Sequence, residues 1–242
     1  MSETIVSMKA LAKAFGDTEV LAPLTKEISA GEVIGIVGPN GGGKSTLLGL
    51  MAGLQRPSSG SIEICGKPAH LIALQSAGLV GLVLARPGLY PLLNGRENLE
   101  YFGGLFGLSK SEVKSKAAEL VDLFGLKPHM EKRLHTWSTG MQQKLSLVRA
   151  LLLSPKLLLV DEPAANLDPV AAKAFYDELR RRADSKESPL ACVCVTHDLN
   201  AAEAISDRVW VVNGGLKEEI KLKRKTHNQE GPIFEAWKRA IS

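Results

Sequence analysis

Apolar positions along the chain follow two different periods. Runs that are almost wholly apolar lie at residues 32–37 (EVIGIV), 156–161 (KLLLVD) and 190–196 (LACVCVT). Such short runs, rich in aliphatic residues, are typical of strands buried on both faces of a sheet. Helical spacing of apolar residues follows at 45–54 and again at 170–184, and residues 60–65 indicate a further strand. This alternation predicts an α/β fold with a parallel sheet covered by helices.

The pattern changes between residues 86 and 153, where β-branched residues become sparse. Residues 97–108 (ENLEYFGGLFGL) and 109–126 (SKSEVKSKAAELVDLFGL) both have helical spacing. Ser109 and Glu112 match the capping-box pattern, in which a serine and a glutamate three residues later cap a helix reciprocally. We therefore predict a helical insertion, with the α/β core continuing before and after it. The predicted divisions are residues 1–85, 86–153, 154–216 and a basic tail at 217–242.

The tail carries most of the net charge. The chain of 242 residues has a formal charge of +4, and its last 26 residues hold seven Lys or Arg against four Glu. The main body is nearly neutral, so a nucleic-acid groove is not expected. Within the tail, Ile233, Phe234, Trp237 and Ile241 share one helical face. That face either packs on the domain or contacts a membrane or partner.

Cysteine spacing and hydropathy indicate a cytosolic protein. Cys65, Cys192 and Cys194 fit no metal-ligand spacing, which favours reduced, buried thiols. The longest uncharged stretch, residues 68–85, is interrupted by His70, Gln75 and glycines, so we interpret it as core rather than a membrane span. The N-terminus has no basic start followed by an apolar signal core. If the protein works at a membrane, a partner is expected to span it.

A glycine-rich stretch follows the first buried run. Residues 38–46 (GPNGGGKST) fit the pattern G-x-x-x-x-G-K-[ST] between a strand and a helix. Backbone N–H groups of such a loop surround a β-phosphate, the lysine reaches the β- and γ-oxygens, and the serine binds Mg²⁺. The predicted nucleotide-binding residues here are Gly38, Pro39, Asn40, Gly41, Gly42, Gly43, Lys44, Ser45 and Thr46.

Two carboxylates end the second buried run. Asp161 is the residue expected to complete the Mg²⁺ shell together with Ser45, since phosphate-loop enzymes place an acid at the end of a neighbouring strand. Glu162 follows, beside Pro163, where it could take a proton from a water aligned with the γ-phosphate. We predict Glu162 and Lys44 as catalytic residues.

A second anion-binding element is predicted at residues 137–141 (WSTGM), where Ser138 can cap a helix and Gly140 permits a tight turn. This stretch lies 24 residues before Asp161. Together with the phosphate loop, it resembles the ATP-binding cassette (ABC) ATPases to about residue 216. The resemblance implies a P-loop NTPase core with a parallel sheet, an N-terminal antiparallel β subdomain and an inserted α-helical subdomain. It also implies that two cassettes pair head to tail, so that Ser138 and Gly140 serve the γ-phosphate bound by the other chain.

Further positions resemble the family's motifs in order. Residues 165–168 (ANLD) resemble the D-loop, which places Asp168 near the dimer interface and its nucleotide. His197 lies 35 residues after Glu162 and resembles the switch histidine that contacts the γ-phosphate. Phe15 resembles the aromatic residue on which adenine stacks. The resemblance implies catalysis by His197 and ATP binding by Phe15 and Asp168.

The chain departs from the family at two places. Where a glutamine usually touches Mg²⁺ and senses the transmembrane partner, this sequence has Ala85 or Arg86. In the signature, Trp137, Thr139 and Met141 replace Leu, Gly and Gln. Both departures resemble the branch of the family that serves small exporters.

The resemblance implies an ATPase subunit that powers export through a separate transmembrane permease subunit. Its expected cofactors are ATP and Mg²⁺, and its expected partners are that permease and a second ATP-binding subunit as a homodimer, without nucleic acid. The expected location is the cytoplasmic side of the cell membrane, as a peripheral protein. Two alternatives stay open: a soluble ABC ATPase of repair or translation, and a regulatory module that hydrolyses ATP weakly.

Overall fold

The computed structural model describes residues 3–72, 76, 78–163, 167–222, 233, 236, 239 and 240. The strands in this part are β1 Thr4–Phe15, β2 Thr18–Ser29, β3 Val33–Val37, β4 Ser59–Ile64, β5 Lys67–Pro68, β6 Val80–Val83, β7 Leu157–Asp161, β8 Ala191–Val195, β9 Arg208–Val212 and β10 Leu216–Lys221. The helices are α1 Lys44–Met51, α2 Gly95–Leu105, α3 Lys110–Leu123, α4 Thr139–Leu151, α5 Pro169–Ala183 and α6 Leu199–Ile205, with short 3₁₀ turns at Ala69–Leu71, Lys127–His129 and Leu134–Thr136.

The strands form two sheets. A four-stranded antiparallel sheet has the order β2-β1-β4-β5, and a six-stranded sheet has the order β10-β9-β3-β8-β7-β6. In the larger sheet β9, β3, β8, β7 and β6 run parallel, while β10 pairs antiparallel with β9. The predicted α/β class with an antiparallel β subdomain and inserted helices is confirmed. Among the described strands of this sheet, only β10 breaks the parallel arrangement, because a tight turn at residues 213–215 returns the chain directly alongside β9.

The larger sheet is buried on both faces, as its apolar strands require. Leu157 and Leu159 of β7 pack with the antiparallel sheet and α1, whereas Leu158 and Val160 pack with α4 and α5. Successive side chains of a strand point to opposite faces, so a wholly apolar strand has core on both sides. The carboxyl ends of β3, β7 and β8 therefore meet at one edge, which is where the candidate site lies.

Helices α2, α3 and α4 fall within residues 86–153. Asn94 and Glu97 form a reciprocal capping box at α2, and Ser109 and Glu112 form the predicted one at α3. The domain divisions stay predictions. Strand β10 crosses the one drawn at residue 216, since it runs from Leu216 to Lys221.

The thiols are free, but they differ in burial. Cys192 and Cys194 are fully buried on the same face of β8, as expected. Cys65 is only partly buried, which corrects the expectation for that residue, because it follows β4 in a turn at φ 49°. Within the described ranges, no helix has both the length and the apolar character needed to cross a membrane.

The C-terminal segment packs on the domain at the positions that are described. Ile233 and Ala236 are fully buried against a cluster that contains Val37, Val209 and Val211. This agrees with the first interpretation of the tail for Ile233. Phe234, Trp237 and Ile241, predicted on the same face, lie outside the described residues.

Candidate functional site

The phosphate loop joins β3 to α1 in a conformation that needs glycine. Gly38, Gly41 and Gly43 have φ of 154°, 76° and 94°. A Cβ at Gly38 would stand 2.0 Å from the carbonyl oxygen of Val212, and one at Gly43 would stand 2.7 Å from that of Val20. Two backbone carbonyls therefore leave no space for a side chain at Gly38 or Gly43, whereas Gly41 has open space and needs glycine only for its backbone angle.

Lys44 begins α1 and turns its amine back over the loop. Its Nζ donates hydrogen bonds to the carbonyl oxygens of Gly38 at 3.0 Å and Pro39 at 2.8 Å. Burial lowers the pKa of Lys44, and the nearby carboxylates of Glu162 and Asp161 oppose this effect. The amine thus lies inside the loop and close to two acids, where it can reach a bound phosphate.

A cavity of about 400 Å³ opens beside the loop. Its lining brings together most of the predicted site residues. It consists of Val20, Asn40, Gly41–Thr46, Asp161, Glu162, Val195 and His197. Polar groups that follow the neighbouring strands β3, β8 and β7, together with the N-terminus of α1, therefore face one space.

Glu162 directly follows β7 and has an unusual backbone. Its φ is 48°, in the left-handed region that a residue other than glycine rarely occupies. Oε1 lies 3.3 Å from Nε2 of His197, within ion-pair distance but outside good hydrogen-bond geometry, and the backbone N–H of His197 donates to Oε2 at 3.4 Å. Strained backbone at a strand end often marks a functional residue.

Burial raises the pKa of Glu162, and this effect outweighs the opposing charge of His197. A general base acts best when its pKa lies closer to the working pH than that of a free carboxylate. The environment of Glu162 shifts it in that direction. The pair Glu162–His197 can accordingly accept and orient a proton at the cavity.

Asp161 and Ser45 supply oxygen donors to the same cavity. Oxygen ligands suit Mg²⁺, which keeps several waters and is usually held by few protein groups together with phosphates. Burial raises the pKa of Asp161, whereas Lys44 and His197 favour its charged form. The donor chemistry of these two residues fits a magnesium ion bound to a nucleotide.

The signature stretch forms a separate helix N-terminus. Ser138 caps α4, and its side chain accepts a hydrogen bond from the backbone N–H of Met141 at 3.2 Å. Ser138 is exposed and Gly140 partly exposed, and neither lines the cavity of the phosphate loop. Trp137 anchors the start of this helix: it is buried, its Nε1 donates to the carbonyl of Lys132, and its ring closes on Gly95.

Phe15 and Asp168 also lie outside the cavity lining. Phe15 is 52% exposed at the end of β1, and Nζ of Lys13 lies 4.7 Å from the centroid of its ring. Asp168 is exposed and caps α5, accepting from the backbone N–H of Ala171 at 2.9 Å. Neither residue is therefore among those that line the cavity beside the phosphate loop.

Sequence reasoning missed how the segment after β6 is held. Arg149 of α4 donates to the carbonyls of Leu82, Pro87 and Gly88. Gln143 of the same helix donates to the carbonyl of Leu84. Helix α4, which begins at the signature stretch, thus holds through hydrogen bonds the segment that carries Ala85 in place of the usual glutamine. The signal in the sequence was Arg149 within the otherwise apolar residues 147–151 (LVRAL).

These elements define a class: a P-loop α/β ATPase with an inserted helical region. The family model described as ABC transporter matches residues 21–165. The chain belongs to the ABC transporter family, and it is the ATP-hydrolysing, ATP-binding subunit of such a transporter.

Curated relatives cover nearly the whole chain. The uncharacterized ABC transporter ATP-binding protein YdbJ of Bacillus subtilis (strain 168) is 34% identical over 97% of this chain and 75% of its own length. The sn-glycerol-3-phosphate import ATP-binding protein UgpC of Ruegeria sp. (strain TM1040) is 32% identical over 96% of this chain and 65% of its own. The Nod factor export ATP-binding protein I of Cupriavidus pinatubonensis (strain JMP 134 / LMG 1197) is 34% identical over 88% and 65%.

Solved structures share the fold. One, described as the ATP-binding subunit of an ABC transporter, has a TM-score of 0.87 and 27% identity and covers 99% of this chain and 100% of its own. Another is a dimeric, post-hydrolysis state of the ATP-binding cassette MJ0796 bound to ADP and Pi, with a TM-score of 0.79, 27% identity and coverage of 90% and 99%.

Proposed function

We propose that two copies of this chain close head to tail on two MgATP molecules and that hydrolysis reopens the pair. One observation carries the proposal: the signature turn at Ser138 and Gly140 is accessible and lies outside the cavity that holds Lys44 and Glu162. A helix N-terminus attracts anions, so a second chain can offer this turn to the γ-phosphate. The dimeric form of the similar cassette MJ0796 supports the same assembly.

We assign roles by position to the residues that line each cavity and by the family resemblance to Phe15 and Asp168. The loop from Gly38 to Thr46, which includes Lys44, holds the phosphates, and Phe15, outside the cavity lining, stacks on adenine. Asp161 and Ser45 hold Mg²⁺, which supplies positive charge to the phosphate oxygens when bound. Glu162 takes the proton of the attacking water, and His197 fixes the carboxylate through its ring and its backbone N–H. Asp168 lies at the interface that the second chain completes.

The trans contribution of Ser138 can be tested without removing its helix cap. In the variant Ser138→Asp the cap is retained, since Asp and Ser cap equally well, but a negative charge faces the γ-phosphate. Ser138→Asn keeps the cap without the charge. We expect Ser138→Asp to lose most ATPase activity and ATP-dependent dimerisation in a sizing experiment, while Ser138→Asn retains more of both. Equal activity of Ser138→Asp and the wild type would contradict the proposal.

The transmembrane partner follows from the family. We propose that this chain is peripheral on the cytoplasmic side of the membrane, bound to a separate permease subunit. Purification of a tagged chain from detergent-solubilised membranes should recover a hydrophobic subunit. Recovery only from the soluble fraction, with ribosomes or DNA, would favour a repair or translation ATPase instead.

We propose export as the direction of transport. The support is the set of departures at Ala85, Trp137, Thr139 and Met141, which resembles the exporter branch, together with relatives named for Nod factor export. Relatives named for import are 32–34% identical and match more of the chain, so the direction needs its own test. Inside-out vesicles that contain the complex should accumulate the substrate when ATP is added outside. Loss of preloaded substrate from such vesicles would establish import.

A further inference from the structure

The turn between β9 and β10, residues 213–215, packs against the phosphate loop. The backbone N–H of Gly214 donates to the carbonyl oxygen of Gly42 at 3.0 Å. The carbonyl oxygen of Val212 lies 2.0 Å from where a Cβ at Gly38 would stand and 2.8 Å from where one at Gly42 would stand, so it would clash with either. The conformation of the phosphate loop therefore depends on where this turn lies.

The C-terminal segment binds the same turn. The side chain of Asn213 donates through Nδ2 to the carbonyl oxygen of Ala240 at 2.7 Å. Asn213 sits between Val212, which abuts Gly38, and Gly214, which bonds to Gly42. The side chain of Asn213 thus joins Ala240 to the turn that packs against the phosphate loop.

A second contact of the C-terminal segment reaches the other end of the loop. Ile233 and Ala236 are buried in a cluster with Val37, which is the last residue of β3 and directly precedes Gly38. Positions 233, 236 and 240 are spaced as one face of a helix. The segment therefore shares a hydrophobic cluster with the residue that precedes the loop, and it is hydrogen-bonded to the turn that supports the loop.

We propose that Asn213 is a positioning residue for nucleotide binding: it fixes the β9–β10 turn to the C-terminal segment and so preorganises the phosphate loop. Without the Nδ2 donor, the turn keeps the backbone hydrogen bonds of Gly214 to Gly42 and Ala22 but loses its bond to Ala240. Part of the ordering of the loop must then take place when the phosphate binds. Ordering on binding lowers affinity because its entropic cost is subtracted from the binding energy. The chemical step at Glu162 is unaffected once the nucleotide is bound.

Two variants of the full chain test this proposal. Asn213→Ala removes the side chain, and Asn213→Asp keeps its shape but not the donor. We expect each to raise the Kd for Mg·ADP and the KM for ATP about three- to tenfold, the effect of a lost hydrogen bond of about 0.6–1.4 kcal/mol. The kcat should stay within about twofold of wild type, because the loss is in ground-state binding.

Arg239→Ala is the matched control. Arg239 forms an ion pair with Glu218 of β10 at 2.9 Å, so its removal loosens the same segment while the hydrogen bond of Asn213 to Ala240 is kept. Its Kd for Mg·ADP should remain that of wild type, even if its Tm falls as much as that of Asn213→Ala. Wild-type affinity of Asn213→Asp, an equal loss of affinity in Arg239→Ala, or a fall in kcat with unchanged KM would each overturn the proposal.

Discussion

Replacing Glu162 with Gln separates nucleotide binding from hydrolysis most sharply. The substitution keeps the shape of the side chain and the acceptor for the backbone N–H of His197, but it removes the basic carboxylate 3.3 Å from Nε2 of that histidine. Lys44, Asp161 and the phosphate loop are untouched. We therefore expect MgATP to bind normally and the closed dimer to accumulate.

The expected loss of rate follows from the role of a general base. Such a group contributes about 10²- to 10⁴-fold, so kcat of Glu162→Gln should fall by that factor, or about 3–5 kcal/mol in activation free energy. The stability of the fold should not fall together with the rate. Because burial raises the pKa of Glu162, its charged form is disfavoured in the fold, and a neutral amide should leave the free energy of unfolding unchanged or higher.

The sign of the pH dependence is also defined. Between the usual value of 4.5 and the raised native pKa of Glu162, the native state binds more protons than the unfolded state. The wild type therefore loses stability from this group as the pH rises through that window. Glu162→Gln lacks this loss, so its advantage in urea unfolding should be greater at about pH 8 than at about pH 4.

Three measurements test Glu162→Gln: the rate of phosphate release, the affinity for ATP, and the fraction of dimer by size-exclusion chromatography. Glu187→Gln is the control, since it makes the same change of charge at an exposed position away from the cavity. It should match the wild type in all three measurements. Hydrolysis by Glu162→Gln at the wild-type rate would refute the assignment of the base, and loss of ATP binding would show that the residue acts mainly in holding the nucleotide.

Three further outcomes are expected. The acid limb of the kcat profile should lie above pH 4.5, because Glu162 must be ionised and its pKa is raised, and it should vanish in a pH–rate profile of the Gln variant. Gly38→Ala should lower the free energy of unfolding in urea by about 1–3 kcal/mol or more, since its Cβ would overlap the carbonyl of Val212, whereas Gly41→Ala has open space and bears only backbone strain of about 1–2 kcal/mol. Arg149→Lys should lower the free energy of unfolding by about 1–3 kcal/mol in the same assay, although the charge is kept, because a lysine cannot reach the three carbonyls at once. Wild-type stability of this variant would show that the three guanidinium hydrogen bonds are dispensable.

Local chemistry made much of the site predictable. The phosphate loop could be identified because glycines, Lys44 and Ser45 must follow one another directly in sequence. Cys192 and Cys194 were placed on one strand face by the period of two, and the Ser109–Glu112 cap by a spacing of three. Ser138 was correctly predicted to cap its helix.

Features set by distant contacts were not predictable in the same way. Strands β1 and β2 pair with several register shifts, which break the alternation of apolar and polar residues along residues 4–29. The left-handed backbone of Glu162 has no signature in the residue itself. The bond from Asn213 to Ala240 joins residues 27 apart in the chain. The sequence Asn213-Gly214-Gly215 is nevertheless typical of a hairpin turn and indicates the one between β9 and β10.

The shared catalytic pocket is tested most directly by mixing two inactive variants. Lys44→Ala disables the phosphate loop but keeps the signature, and Ser138→Asp does the reverse. In a mixed head-to-tail dimer, one of the two sites combines the intact loop of one chain with the intact turn of the other. Equal amounts of the two should regain up to about a quarter of wild-type ATPase activity, since half of the dimers are mixed and each has one complete site. A mixture as inactive as its components would contradict a pocket built from two chains.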